Sequence, residues 1–309
     1  MSKKPPQSAN FGRDLAGRAR AICADAGRAA GNTALARSDA IHEIRRQLKR
    51  WRALLRLVAG PVGKQADRMS DQARTLMKSL ATARDAQSAL DALRDLEKSE
   101  VPVAKRSLKA MAARMTEVRD AAERQALTPA VRKELTDYFA RATAALDRRP
   151  LATANFSDVT DRLTDTYRRA RKLLPDDWRH AGNRRLHALR RRVVELRHQV
   201  DLLAHLWPRP ADAWVNDAQR LRGRLGSCQD LAVLDAMADA GRPLSRWRSA
   251  LAPAIAARRR VHLKAAARVA GRLFEDKPKR FHRRISALGD IGSARTPAVP
   301  HRPPRRQSR

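Results

Sequence analysis

The sequence predicts an all-α fold. Three observations carry this: only 13 of 309 residues are glycine, the apolar residues recur at a period near 3.6 rather than 2, and the 16 prolines gather at the ends and a few interior points. Taken in order, breaks fall at Gly60-Pro61, Val101-Pro102, Thr128-Pro129, Arg149-Pro150, Pro175, Trp207-Pro208 through Pro210, and Gly241 to Pro243. Between them lie segments of helix length. Ser38-Asp39 precedes the most strongly patterned segment, and Thr128-Pro129 reads as an N-cap followed by proline at the first helical position. Residues 1–10 and 290–309 are polar, Pro-rich or basic and read as disordered tails, the second one basic.

Charge bounds the function. Lys and Arg number 66 against 32 Asp and Glu, a formal net charge of +34, so the surface repels itself unless a polyanion neutralises it. The 43% of hydrophobic residues suffice for a core; with aromatics at 4%, that core is built of Leu, Ala and Val. Two cysteines, Cys23 and Cys228, exclude a disulfide scaffold and a Cys-based zinc site and fit a reducing cytosol. The N-terminus lacks the apolar region of a signal peptide, and no apolar run approaches the ~18 residues that span a bilayer. A cytoplasmic protein is expected.

The chain aligns with itself at an offset of 145 residues. His42 then falls on His187, Arg45 on Arg190, Leu48 on Val193, Arg52 on Arg197, Leu80 on Leu225, Asp85 on Asp230 and Phe11 on Phe156. Arginine is so common that its matches mean little. Histidine is rare, and the spacing from His to Asp is the same in both copies. Two related helical halves, 11–149 and 150–289, are the expectation.

The sharpest feature is IHEIRRQLKRWRALLRLV, residues 41–58. At about 100° per residue with His42 at zero, Arg45, Lys49, Arg52 and Arg56 fall within an arc of about 80°. Ile44, Leu48, Trp51, Leu54, Leu55 and Val58 take the opposite side and face a core. Arg46 and Arg50 flank the stripe, which runs roughly 21 Å along the axis at about 1.5 Å per residue. A solvated helix face mixes signs at i,i+4, whereas this stripe carries no acid. The copy at 186–203 repeats it with His187, Arg190 and Arg197, with Arg191 and Arg192 to the side. Val194, Glu195 and Asp201 replace cations there, so a weaker second face is expected.

These residues resemble the conserved histidine α-helical domain, CHAD. In that family each half carries H-x-x-R-x-x-x-[RK]-R-x-R and, some forty residues on, a Leu-small-x-x-[RQ]-D segment. Here the first half matches with His42, Arg45, Lys49, Arg50, Arg52 and Arg56, then Leu80, Arg84 and Asp85. The second matches with His187, Arg190 and Arg197, then Leu225, Gly226, Gln229 and Asp230; TYRRARK (166–172) resembles the family's Tyr-Arg-rich segment. The resemblance covers residues 11–289. It implies two pseudosymmetric helical bundles whose basic faces line a shared groove or pore, and inorganic polyphosphate as the ligand, with a place on polyphosphate granules. No fused β-rich hydrolase domain is legible, so a stand-alone binder is implied.

Arginine suits such a chain of phosphates because its planar fork gives paired, charge-assisted hydrogen bonds at any physiological pH. The site expected is His42, Arg45, Arg46, Lys49, Arg50, Arg52, Arg56, His187, Arg190, Arg191 and Arg197. Arg168, Arg171, Lys172, Arg259 and Lys264 are expected to add phosphate contacts, and Asp85 and Asp230 to orient a His or Arg of the stripes. His187, His198 and His205 share a helix face but sit too far apart for one metal ion. No Gly-rich phosphate loop or catalytic set appears, so neither enzyme activity nor a cofactor is expected. A non-specific nucleic-acid-binding protein is the second reading, weakened by aromatics that lie on apolar faces, where they serve base stacking poorly.

Overall fold

A computed structural model describes residues 7–99, 103–148, 151 and 154–295, and every regular element among them is helical. The N-terminal half holds α1 (Gln7–Gly31), α2 (Arg37–Leu57), the single turn α3 (Ala59–Val62), α4 (Lys64–Ser79), α5 (Ala81–Glu97), α6 (Lys105–Ala126) and α7 (Pro129–Arg148). The C-terminal half holds α8 (Phe156–Arg171), α9 (Asn183–Leu203), α10 (Pro208–Met237), α11 (Arg248–Leu273) and α12 (Pro278–Arg295). Shifting α1, α2, α6 and α7 by 145 residues lands them on α8, α9, α11 and α12, while α4 and α5 fall together on α10.

Local chemistry explains the boundaries. The Thr128 hydroxyl accepts from the Val131 amide at 3.3 Å, and Pro129 opens α7, as the sequence suggests. Asn155 caps α8 by accepting from the Asp158 amide at 2.7 Å. Helix α2 starts earlier than Ser38-Asp39 implies: Ala36 stands at the cap and offers no side chain, while Asp39 lies in the first turn, where its charge favours the exposed amides. Pro208 and Pro210 do not separate helices but begin one, because proline's missing N–H costs nothing in a first turn. Gly60 and Pro61 lie inside α3, and the break comes at Gly63, whose φ of 64° suits glycine. Gly241, at φ 74°, turns the chain after α10.

The tails are shorter than expected. Residues 7–10 belong to α1 and 290–295 to α12, and the remaining tail residues lie outside those described, as do the breaks at Val101-Pro102 and Arg149-Pro150.

Two cores form. The larger joins α1, α2, α4, α7, α8, α9 and α12 with the first part of α10 and the last part of α11. Its centre is Trp51, fully buried, whose indole N–H donates to the Tyr138 hydroxyl at 2.7 Å; that hydroxyl donates in turn to the Met69 carbonyl at 2.7 Å, locking α2, α7 and α4 together. The smaller core is a four-helix arrangement of α5 and α6 with the ends of α10 and α11 nearest them, filled by Leu90, Leu93, Met111, Leu231, Leu234 and Leu251 among others. Between the halves, Phe11 and Phe156 meet edge-on with ring centroids 5.5 Å apart. Arg258 of α11 forks onto Asp95 of α5 at 2.7 and 2.9 Å, and buried His262 reaches the same carboxylate at 2.7 Å, which holds Asp95 far below the usual carboxylate range. Arg258 therefore serves the fold.

Candidate anion-binding groove

Helices α2 and α9 cross in opposite directions. Arg56 meets Glu195 at 3.1 Å, the Gln199 amide donates to the Ala53 carbonyl at 3.2 Å, and Arg50 meets Asp201 at 3.9 Å. With α5 and α10 they enclose a cavity of about 760 Å³, with Arg119 and Glu123 of α6 also lining it. Eight Arg and Lys side chains line it against four Asp and Glu. Of the residues expected from sequence, His42, Arg45, Arg46, Lys49, Arg190 and Arg197 come together here, with Asp230.

These cations differ in how far they are occupied. Arg45 is anchored: one Nη donates to the carbonyls of Met77 and Leu80 at 2.9 and 3.1 Å, satisfying the end of α4 where the chain breaks before α5. Arg46 donates to Glu43 at 2.8 Å. Arg190 and Arg197, in contrast, each bury an Nε that has no hydrogen-bond partner. Arg197 Nη2 lies 3.3 Å from both ring nitrogens of His198. In a neutral ring only one of those nitrogens can accept, and which one depends on the tautomer. Burial lowers the pKa of Arg190 and Arg197, and neighbouring arginines add to the effect.

Lys49 sits deepest in charge terms. Burial, then Arg45, Arg190, Arg222 and Arg84, bring its ammonium down to about 7. The His42 imidazole is also lowered, first by burial, then by Lys49 and Arg84. His198 is pushed far down by burial and by Arg197, and is neutral.

The structure corrects the idea of one continuous stripe. Arg52 and Arg56 do not line this groove, because α9 lies across α2 between them and Lys49. They open onto a second cavity of about 340 Å³ beside Arg162, Arg169, Asp71 and Glu195. Arg50 is drawn to Asp201. His187 and Arg191 are exposed outside the groove, and His187 shares a hydrogen bond with Gln229 at 3.1 Å. Burial and then Arg191 lower the His187 pKa.

The expected acceptors divide as well. Asp230 of α10 accepts from Arg84 Nη2 of α5 at 3.4 Å, so it orients an arginine far from it in sequence. Asp85 acts on Arg45 and Arg84 only through its charge, and burial raises its own pKa. None of the five auxiliary cations lines the groove. Arg171 donates to the Phe274 carbonyl at 3.1 Å and Arg259 to the Ala181 carbonyl at 2.5 Å, both structural uses. Arg168 pairs with Asp165, and Lys172 and Lys264 are exposed on the surface.

Arg84, Arg119 and Arg222 line the groove without having been among the binding residues expected from sequence. A signal existed: Arg222, Gly226 and Asp230 follow at i, i+4 and i+8, one face of α10. A Cβ built on Gly226 would stand 3.5 Å from Arg190 Nε, in ordinary van der Waals contact, so Gly226 packs against that guanidinium but alanine would fit there too. Among the described residues no three His, Cys, Asp or Glu side chains assemble as metal ligands, and no helix is long and apolar enough to cross a membrane.

The model of the CHAD domain family matches residues 20–239. The chain belongs to the CHAD family. The crystal structure of the CHAD domain from the plant Ricinus communis is similar to it, with a TM-score of 0.52 and 16% identity, covering 93% of this chain and 94% of that one, which shows a shared all-α fold. No curated protein matches the sequence. CHAD domains are helical domains of a binding type, associated with polyphosphate binding in general.

Proposed function

We propose that this CHAD protein binds inorganic polyphosphate in the groove between α2, α5, α9 and α10, as a binding module rather than an enzyme. The observation that carries the reading is the pair of buried, partnerless Nε groups of Arg190 and Arg197 in a cavity dominated by cations. A buried N–H without an acceptor costs about 1–3 kcal/mol, and a phosphate oxygen removes that cost. Lys49, Arg84 and Arg222 add charge, His42 adds a donor, and the second cavity at Arg52 and Arg56 offers a further contact along the chain. Many modest contacts give affinity with a steep salt dependence. No Phe, Tyr or Trp lines the groove, so bases find nothing to stack on. A cytoplasmic protein that gathers on polyphosphate granules follows from the same reading.

Competition tests it. Long-chain polyphosphate displaces a labelled polyphosphate from the protein at a phosphate concentration at which duplex DNA does not. Equal displacement by DNA makes this a general polyanion binder. A tagged protein that stays diffuse in cells rich in polyphosphate granules overturns the proposed location.

A further inference from the structure

We propose that Lys49 is a modification site, acylated at Nζ by acyl phosphates. This goes beyond polyphosphate binding: the chemistry needs only the groove, and its regulatory consequence alone rests on the polyphosphate reading.

Among the described residues Lys49 is the one lysine that lines the groove. No carboxylate lies within ion-pair distance of it in the described residues, whereas Lys133, 77% exposed, pairs with Asp137 at 2.7 Å. Four guanidinium groups act on Lys49 from every wall: Arg45 on its own helix, Arg84 on α5, Arg190 on α9 and Arg222 on α10. Of the four acids lining the groove, Asp230 is engaged by Arg84, Asp91 by Arg84 and Arg94, and Glu123 by Arg119, while Asp39 stands ten residues, about 15 Å, along α2 from Lys49. His198, neutral, adds no charge to this set. A buried amine among cations resists protonation, and desolvation or a neighbouring cation is how proteins make lysine nucleophilic. Of these guanidiniums Arg45 is held by the Met77 and Leu80 carbonyls and Arg84 by Asp91 and Asp230, so the phosphate seat beside the amine is offered mainly by Arg190 and Arg222.

An acyl phosphate presents both groups needed, a dianionic phosphate for the arginines and an electrophilic carbonyl for the amine. The Nζ lone pair attacks the acyl carbon, the new C–N bond forms, and the C–O bond to phosphate breaks. Inorganic phosphate leaves with the bond's electron pair, and the proton lost from nitrogen passes to it. No oxidant or metal enters the balance. The product amide is neutral and removes a cation from the groove, so acylated protein holds a polyanion less tightly.

The probe is acetyl phosphate with the full chain at neutral pH, read residue by residue by mass spectrometry against time. Lys49 is expected to acetylate at least about tenfold faster than Lys64 and Lys133, because near neutrality roughly half of it is unprotonated while an ordinary lysine is almost wholly charged. Its rate levels off above pH 7, whereas theirs keep rising. A rate at Lys49 no greater than at Lys64 overturns the proposal. So does enrichment at Lys49 with a neutral acetyl ester but not with acetyl phosphate, since recruitment through the phosphate is then absent. Protection by added inorganic phosphate supports the arginine seat. Protection by polyphosphate tests the function proposed above independently: acetylation at Lys49 that polyphosphate fails to block leaves the modification standing and counts against polyphosphate in this groove.

Discussion

Glu195 of α9 lies 3.1 Å from Arg56 of α2, and the residues 145 positions away from each, Arg50 and Asp201, pair across the same crossing at 3.9 Å. The acids that make the second stripe look diluted are thus the counter-ions of the first. The side chain of Glu195, 11% exposed, also accepts from Arg192 at 2.8 Å, so Glu195→Gln leaves two arginines short of an acid. A loss of about 1–2 kcal/mol is expected in urea unfolding. In a double-mutant cycle, Arg56→Gln and Glu195→Gln together cost less than their separate losses added. Strict additivity would show that the crossing is held by packing alone.

Arg45 and Arg190 occupy aligned positions yet are expected to respond in opposite ways. Arg45→Ala strips two carbonyls at the α4–α5 break of their donor and is expected to cost about 2 kcal/mol of stability. Arg190→Gln removes a buried cation with a partnerless Nε among like charges. The free protein then keeps or gains stability, by about 1 kcal/mol, while polyphosphate affinity falls at least about tenfold and the salt slope shrinks by about one. Urea unfolding and titration calorimetry separate the two. A stability loss at Arg190→Gln equal to that at Arg45→Ala would count against a functional origin for its buried nitrogen.

How much of this was legible in the sequence follows from what each signal encodes. Helical periodicity and the Thr128-Pro129 cap are local, and the structure repeats them. The angular position of Arg52 is also local and correct, but a helical wheel does not show that another helix crosses the stripe at Ala53. The splitting of the site and the counter-ion role of Glu195 are therefore tertiary facts. The α4–α5 break at Leu80 carries no glycine or proline; Arg45 stabilises it from a distant turn, which explains why a stripe residue proves partly structural. The Arg222, Gly226 and Asp230 face is local and readable at i, i+4 and i+8, but that it turns toward α2 and α9 is again a tertiary fact.

Polyphosphate binding is expected to take up a proton. Free Lys49 titrates near 7 because of burial and its four arginine neighbours, and a phosphate chain placed among them raises that value. Between pH 7 and the higher bound value the complex holds more protons than the free protein, so affinity weakens as pH rises through this window. Calorimetry in buffers of different ionisation enthalpy reads the uptake directly. Lys49→Met abolishes most of it. Uptake unchanged in that variant would assign the proton to another group, with His42 next in line at lower pH.

Acid is expected to unfold the free protein early, through two histidines, His198 on the groove wall and His205 outside it. His205 is held down to about 4 by burial first and Arg18 second, and His198 is held lower still by burial and Arg197. Both are lowered below the unfolded value of about 6.5. Below pH 6.5 the unfolded chain therefore binds more protons than the native one, and stability falls as pH falls; above 6.5 the two states are alike and the contribution is complete. From pH 6.5 to 5, the two groups together are expected to cost roughly 2–4 kcal/mol. Urea unfolding at the two pH values measures this, and His205→Leu flattens part of the slope because it removes the titrating ring, at the loss of that ring's contacts with the Leu202 backbone and with Asp14 at 3.8 Å. A slope unchanged in both His205→Leu and His198→Leu would rule out these two rings as its source; Asp95, held low by His262 and Arg258, gives up its contribution only as pH falls through about 4, below this window.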